Sequence, residues 1–199
     1  MIILNKDASL SLSIFNKNNC LYIKNYTNKI ENISNNVYLY SAIIDKYDEI
    51  HICFIDLKNY FYYYTYNNSS LNLISSFKLN VSSKKICKLS MYSLNNSINI
   101  FFSKSLNKHY HNIYHLNYNF YNNELIEFDI KNAFKSKLPL YTINVSNNYI
   151  ICSYYVKSKN KIDLESMVYN DTEKRWSYFS NVKTSNILFK YCDTIKYWK

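Results

Sequence analysis

Three histidines, His109, His111 and His115, crowd the stretch "KHYHNIYH". On a β-strand, residues two or four apart share a face, so these imidazoles could turn three nitrogens toward a metal ion. No carboxylate or thiol stands at a matching spacing, and the stretch is read instead as an exposed polar turn leading into a strand. His51 stands alone inside the apolar run "HICFID" and is read as a structural histidine whose nitrogens find partners in the fold. A glycosidase-like carboxylate pair would need two acids on one mouth of the fold; Asp56 with Asp163 is the candidate, although no spacing demands it. Aromatic rings that could stack on a sugar stand at Trp176 and Tyr178 in "RWSYF".

Other chemistries lack their residues. The chain of 199 residues contains no glycine, so neither a P-loop nor a dinucleotide fingerprint can bring its backbone up to a phosphate, and a G-x-S-x-G nucleophile elbow is absent. Five cysteines, Cys20, Cys53, Cys87, Cys152 and Cys192, are scattered without a CxxC pair, which is neither a disulfide framework nor a zinc site. Cys53, Cys87 and Cys152 lie in apolar strand-like runs and are read as small core residues. No catalytic residue, metal or cofactor is assigned, and a non-enzymatic binding or scaffolding role is the expectation.

The formal charge of +10 permits attraction to nucleic acid or to an anionic membrane. Its carriers are dispersed lysines with one arginine, Arg175, and the clusters "SSKKICK" (82–88) and "KSKNK" (157–161) fall between apolar segments. A protein or glycan partner is therefore expected rather than nucleic acid. No apolar run approaches the ~20 residues of a spanning helix, and the N-terminus does not read as a secretory leader, so a cytoplasmic location is expected.

The elements that must position these residues are strands. Ile, Val, Phe and Tyr recur at alternate positions over short stretches separated by Asn, Asp and Ser, and helical spacing is not sustained. Without glycine, turns that need positive φ fall to Asn and Asp. Similar strand–turn–strand units occupy 10–24, 38–56, 88–104, 141–156 and 186–199. Between them recurs an aromatic strand ending in Tyr-Asn, at "YYTYN" (63–67), "HLNYN" (115–119) and "SMVYN" (166–170), each followed by a further apolar strand. Four strands in about 50 residues is the content of one β-propeller blade. Residues 1–199 are thus read as one all-β, propeller-like domain of four to five such units. The count is small for a closed ring, and the N-terminal strands are expected to complete the last blade. The stripe Tyr60, Tyr62, Tyr64 and Tyr66, with Phe61 and Tyr63 on the opposite face, is read as packing for a blade held between two neighbours.

Residues 48–77 and 95–128 carry a resemblance to the uncharacterised sialidase-like, six-bladed propeller repeat proteins of AT-rich bacteria. The stretch "MVYNDTEKRWSYFSNV" (167–182) is similar to the end of a kelch repeat, without the Gly-Gly pair of that family. The first resemblance implies a propeller and invites sialidase chemistry. Those enzymes grip a substrate carboxylate with three arginines beside a Tyr/Glu nucleophile pair. This chain offers Arg175 alone and lacks the glycine-dependent Asp-box, so glycosidase activity of that type is not expected. Lectin-like carbohydrate binding through Trp176 and Tyr178, or a degenerate glycosidase, stands as the alternative reading.

Overall fold

Alternation of apolar side chains without glycine or proline inside the runs favours pleated strands, and the structure, a computed structural model, is all-β. It describes residues 1–7, 10–67, 70–120, 124–135, 140–146, 149–159 and 161–178. Two compact units divide the chain, Met1–Lys135 and Ser136–Lys199.

The first unit holds three antiparallel sheets, each of four strands joined in chain order. Strands β1 (Ile2–Asp7), β2 (Leu10–Lys17), β3 (Cys20–Lys24) and β4 (Ile30–Ser34) make the first sheet. The second contains β5 (Val37–Ile44), β6 (Ile50–Asp56), β7 (Tyr60–Asn67) and β8 (Ser70–Lys78). After a 3₁₀ turn at Ser83–Lys85 come β9 (Ile86–Leu94), β10 (Ser97–Ser105), β11 (Tyr110–Asn119) and β12 (Glu124–Phe134). The second unit has one described sheet: β13 (Tyr141–Ser146), β14 (Tyr149–Ser158), β15 (Lys161–Asn170) and β16 (Arg175–Tyr178). No helix among the described residues is long and apolar enough to cross a membrane.

Within the first unit the sheets pack face to face, and the period of two in β6 shows how. Ile52 and Phe54 join Leu12, Ile14, Leu21 and Ile23 of the first sheet in one core. Cys53 and Ile55 turn the other way and join Ile98, Ile100 and Phe102 of the third. The tyrosine stripe follows the same division: Phe61 and Tyr63 face the third sheet, and Tyr62, Tyr64 and Tyr66 the first. Phe54 stacks on Tyr62 at 4.9 Å and on Tyr64 at 5.8 Å between ring centroids. The stripe is therefore packing on both faces, and only Tyr60, 37% exposed, reaches solvent substantially. Each fully buried side chain of this kind stabilises the fold by about 1.5–3 kcal/mol. The first strands of the three sheets are neighbours, β5 lying against both β1 and β9.

Asparagine takes the role of glycine in the turns. Among the described residues, positive φ occurs at seven Asn (18, 19, 28, 36, 59, 95 and 132), one Asp (48) and two Lys (159 and 174). Asn18 and Asn19, at φ 55° and 61°, close the two-residue β2–β3 turn in the conformation that Asn-Gly usually supplies. Elsewhere the residue opening the turn folds its own carboxyl or amide oxygen over the loop. Asp56 Oδ1 accepts from the amides of Lys58 (2.9 Å) and Tyr60 (2.8 Å), and Asn25 Oδ1 from those of Thr27 and Lys29.

The three Tyr-Asn strands are the third strands of their sheets, β7, β11 and β15, with Tyr66, Tyr118 and Tyr169 all buried. The phase of the first repeat differs from expectation. Segment 10–24 is the second and third strands of its sheet, whereas 38–56, 88–104 and 141–156 are first and second strands. Among the described residues, β1 to β4 make a four-stranded sheet of their own. Cys53 and Cys152 are buried as expected, but Cys87 is exposed at the second position of β9, next to the buried Ile86. The unit expected at 186–199, and Cys192, lie outside the described residues.

Candidate functional site

The tightest gathering of groups capable of chemistry is on the β5–β6 hairpin. Asp45 follows β5 directly, Glu49 precedes β6, and His51 is the second residue of β6. Asp45 Oδ1 accepts from the amides of Tyr47 (2.8 Å) and Glu49 (2.9 Å), Asp45 O accepts from the amide of Asp48 (3.1 Å), and Asp48 takes φ 64°. That turn commits Oδ1 to the backbone and leaves Oδ2 facing His51 Nε2 at 3.2 Å. The buried Nε2 has no hydrogen-bond partner of its own, and Asp45 Oδ2 is the charged group that faces it. On the other side of the ring, His51 Nδ1 and Tyr63 Oη are 2.8 Å apart. The imidazole lies between the rings of Tyr63 (5.9 Å) and Phe120 (5.4 Å), nearly parallel to both. The side chains of His51 and Asp45 are sealed from solvent, and Glu49 is half-buried. One ligand atom from each of Asp45, Glu49 and His51 lies within 4.8 Å of the others. Burial pushes the His51 imidazole below its ordinary value, with Asp45 and Glu49 pulling the other way, and burial pushes the Tyr63 phenol up.

A second polar network runs through the third sheet. Asn99 Oδ1 receives His115 Nε2 (2.8 Å) and Asn117 Nδ2 (2.9 Å), while Asn99 Nδ2 donates to Ser97 Oγ (3.2 Å). His115 is stacked between Phe101 (4.4 Å) and Phe128 (5.4 Å). His111 and His115 are therefore buried, which corrects the reading of the whole stretch as exposed; they sit on a central strand whose 111, 113, 115 and 117 positions share one buried face. His109 alone is exposed. The three do not form a metal cluster among the described residues.

The remaining sequence candidates are dispersed. Asp56 is buried and its Oδ1 is held by the 56–60 turn, while Asp163 is half-buried against Lys161 at 2.7 Å. Arg175 is exposed and pairs with Glu173 (2.6 Å). Trp176 and Tyr178 share a face of β16, the edge strand of its described sheet; Tyr178 is 70% exposed and the Trp176 ring lies 5.3 Å from Tyr169. A cleft of about 250 Å³ opens between the second and third sheets, lined by Phe77, Lys78, Phe102, Lys104, Tyr114 and Glu127 among others. It is smaller than the roughly 300–1,000 Å³ of ordinary small-molecule sites. The sequence reading of His51 as a lone histidine missed its meeting with Asp45 and Glu49. The available signal was "DKYDEIH", two acids bracketing a tight turn with a histidine two residues further on.

No protein-family model and no curated protein matches the chain. Among solved structures, a chain from a Saccharomyces cerevisiae complex of a Dbp5 variant bound to Nup159, a Gle1 variant, IP6 and ADP is similar with a TM-score of 0.41 and 11% identity. The match covers 86% of this chain and 54% of that one, so this chain spans about half of its length.

Proposed function

We propose that the chain is a β-propeller-like repeat protein that acts as a non-enzymatic binding module for a protein partner. The observation that carries this reading is the repeated four-stranded meander, with the first strand of each sheet in residues 1–135 lying beside the first strand of the next. Blades of a propeller are ordered in that way, and such arrays present partners with loops rather than with a deep cavity. Two features support a binding role over catalysis. The side chains of His51, His111 and His115 are buried, and the cleft between the second and third sheets, about 250 Å³, is small. Carbohydrate binding is the second reading, favoured by the 70% exposed Tyr178 beside Trp176 on an edge strand.

A glycan array with the parent chain and the Trp176→Ala and Tyr178→Ala variants distinguishes the two. The protein-partner reading predicts no saturable glycan binding. Saturable binding that either substitution abolishes would move the conclusion to a lectin, and steady turnover of fluorogenic glycosides would overturn the non-enzymatic reading altogether.

A further inference from the structure

Two carboxylates of the β5–β6 hairpin, Asp45 and Glu49, stand beside the His51 imidazole. Among the described residues neither Asp45 nor Glu49 pairs with Lys or Arg, and the nearby Lys46 Nζ lies over the Tyr47 ring, 4.9 Å from its centroid. A buried carboxylate needs a counter-charge or a full set of hydrogen bonds, and Asp45 Oδ2 faces only an imidazole nitrogen that makes no hydrogen bond.

We propose that Asp45 Oδ2, a Glu49 carboxylate oxygen and His51 Nε2 form a binding site for a divalent transition-metal cation, with zinc the best match. The donor set is one imidazole and two carboxylates, which zinc accepts with three protein ligands and one open position. Geometry agrees: the 3.2 Å between His51 Nε2 and Asp45 Oδ2 is close to the donor separation of about 3.3 Å set by a tetrahedron with bonds of ~2.0–2.1 Å. With no hydrogen-bond partner at Nε2, its lone pair is free to meet an ion together with Asp45 Oδ2. Glu49, half-buried and free of other partners, has the freedom to close from within 4.8 Å, and its side opens toward solvent for a fourth ligand.

The surroundings are those of a supported ligand. With a metal on Nε2, Nδ1 keeps its proton and donates to Tyr63 Oη at 2.8 Å, which fixes tautomer and ring orientation together. The turn amides of Tyr47 and Glu49 hold Asp45 by Oδ1 and so aim Oδ2. Calcium and magnesium are poorer matches, because both prefer all-oxygen shells of six or more ligands.

The test is zinc binding to the full 199-residue chain after chelator treatment, by titration calorimetry, with cobalt substitution read by its visible absorption. The expected result is one equivalent of zinc per chain, a cobalt spectrum of tetrahedral intensity, and a rise in Tm on zinc addition. Glu49→Gln, at a half-buried position that should leave folding intact, is expected to weaken binding at least tenfold. Asp45→Asn, which retains an oxygen for the turn amides, is expected to do the same, while His109→Gln at the exposed histidine should change nothing. Absence of stoichiometric binding, or binding that survives in both the Glu49 and the Asp45 variants, would overturn the assignment.

Discussion

Replacing Asn99 with leucine tests whether the histidines of the third sheet are structural. The Asn99 carboxamide oxygen is the acceptor for His115 Nε2 at 2.8 Å and for Asn117 Nδ2 at 2.9 Å, and all three residues are fully buried. Leucine has a similar volume, so Asn99→Leu removes the acceptor without opening a space for water. Each buried donor that loses its partner costs about 1–3 kcal/mol, giving ~2–6 kcal/mol for the two before the gain from burying an apolar side chain in place of an amide. A net loss of roughly 2–4 kcal/mol should lower Tm by about 5–15 °C in a chain of this size. Far-UV circular dichroism through a thermal ramp and a urea titration measures it. Asn99→Ala, whose smaller side chain admits a water molecule, should lose less. A leucine variant that melts within ~2 °C of the parent would show that these bonds are not holding the sheet, and the structural reading of His115 would fail.

Phe54→Ala should cost about 3–5 kcal/mol in urea denaturation, because Phe54 is buried between the first and second sheets and stacks on Tyr62 and Tyr64; a loss below ~1 kcal/mol would contradict that packing. At Asn28, held at φ 65°, glycine should be tolerated within ~0.5 kcal/mol, whereas valine should cost about 1–2 kcal/mol from the left-handed backbone alone; equal melting of the two variants would refute the assignment. Alkaline pH should destabilise the fold. Burial raises the Cys53 thiol and the Tyr154 and Tyr169 phenols above their ordinary values, so the unfolded chain releases protons that the native one retains. Their contribution is fully present below the ordinary thiol value and declines as pH rises through and beyond the ordinary phenol value of about 10. Urea midpoints should fall steadily across that range, and a flat profile would rule the effect out.

Much of the strand pattern was legible because its causes are local. Tyr-Asn marks the ends of β7, β11 and β15, where Tyr66, Tyr118 and Tyr169 are buried, and at other turns asparagines supply the positive φ that no glycine is present to take. The first sheet escaped that pattern. Its third strand ends in Lys24-Asn25 rather than Tyr-Asn, so the β2–β3 hairpin was aligned with first hairpins elsewhere. Burial of His111 and His115 was hidden for a different reason. Polar residues at alternate strand positions look solvent-facing in sequence, and only Asn99, Phe101 and Phe128 on neighbouring strands show how the ring is accommodated. The Asp45–Glu49–His51 cluster depends on the turn's left-handed Asp48 and on which Asp45 oxygen the backbone occupies, and a linear sequence shows neither.

Successive sheets of residues 1–135 pack face to face through both sides of β6. Nuclear Overhauser contacts on a methyl- and aromatic-labelled chain test this directly. The structure predicts contacts from the Ile52 and Phe54 face to Leu12, Ile14, Leu21 or Ile23, and from the Cys53 and Ile55 face to Ile98, Ile100 or Phe102. Contacts confined to strands within a single sheet would contradict the repeat packing and the propeller-like reading built on it.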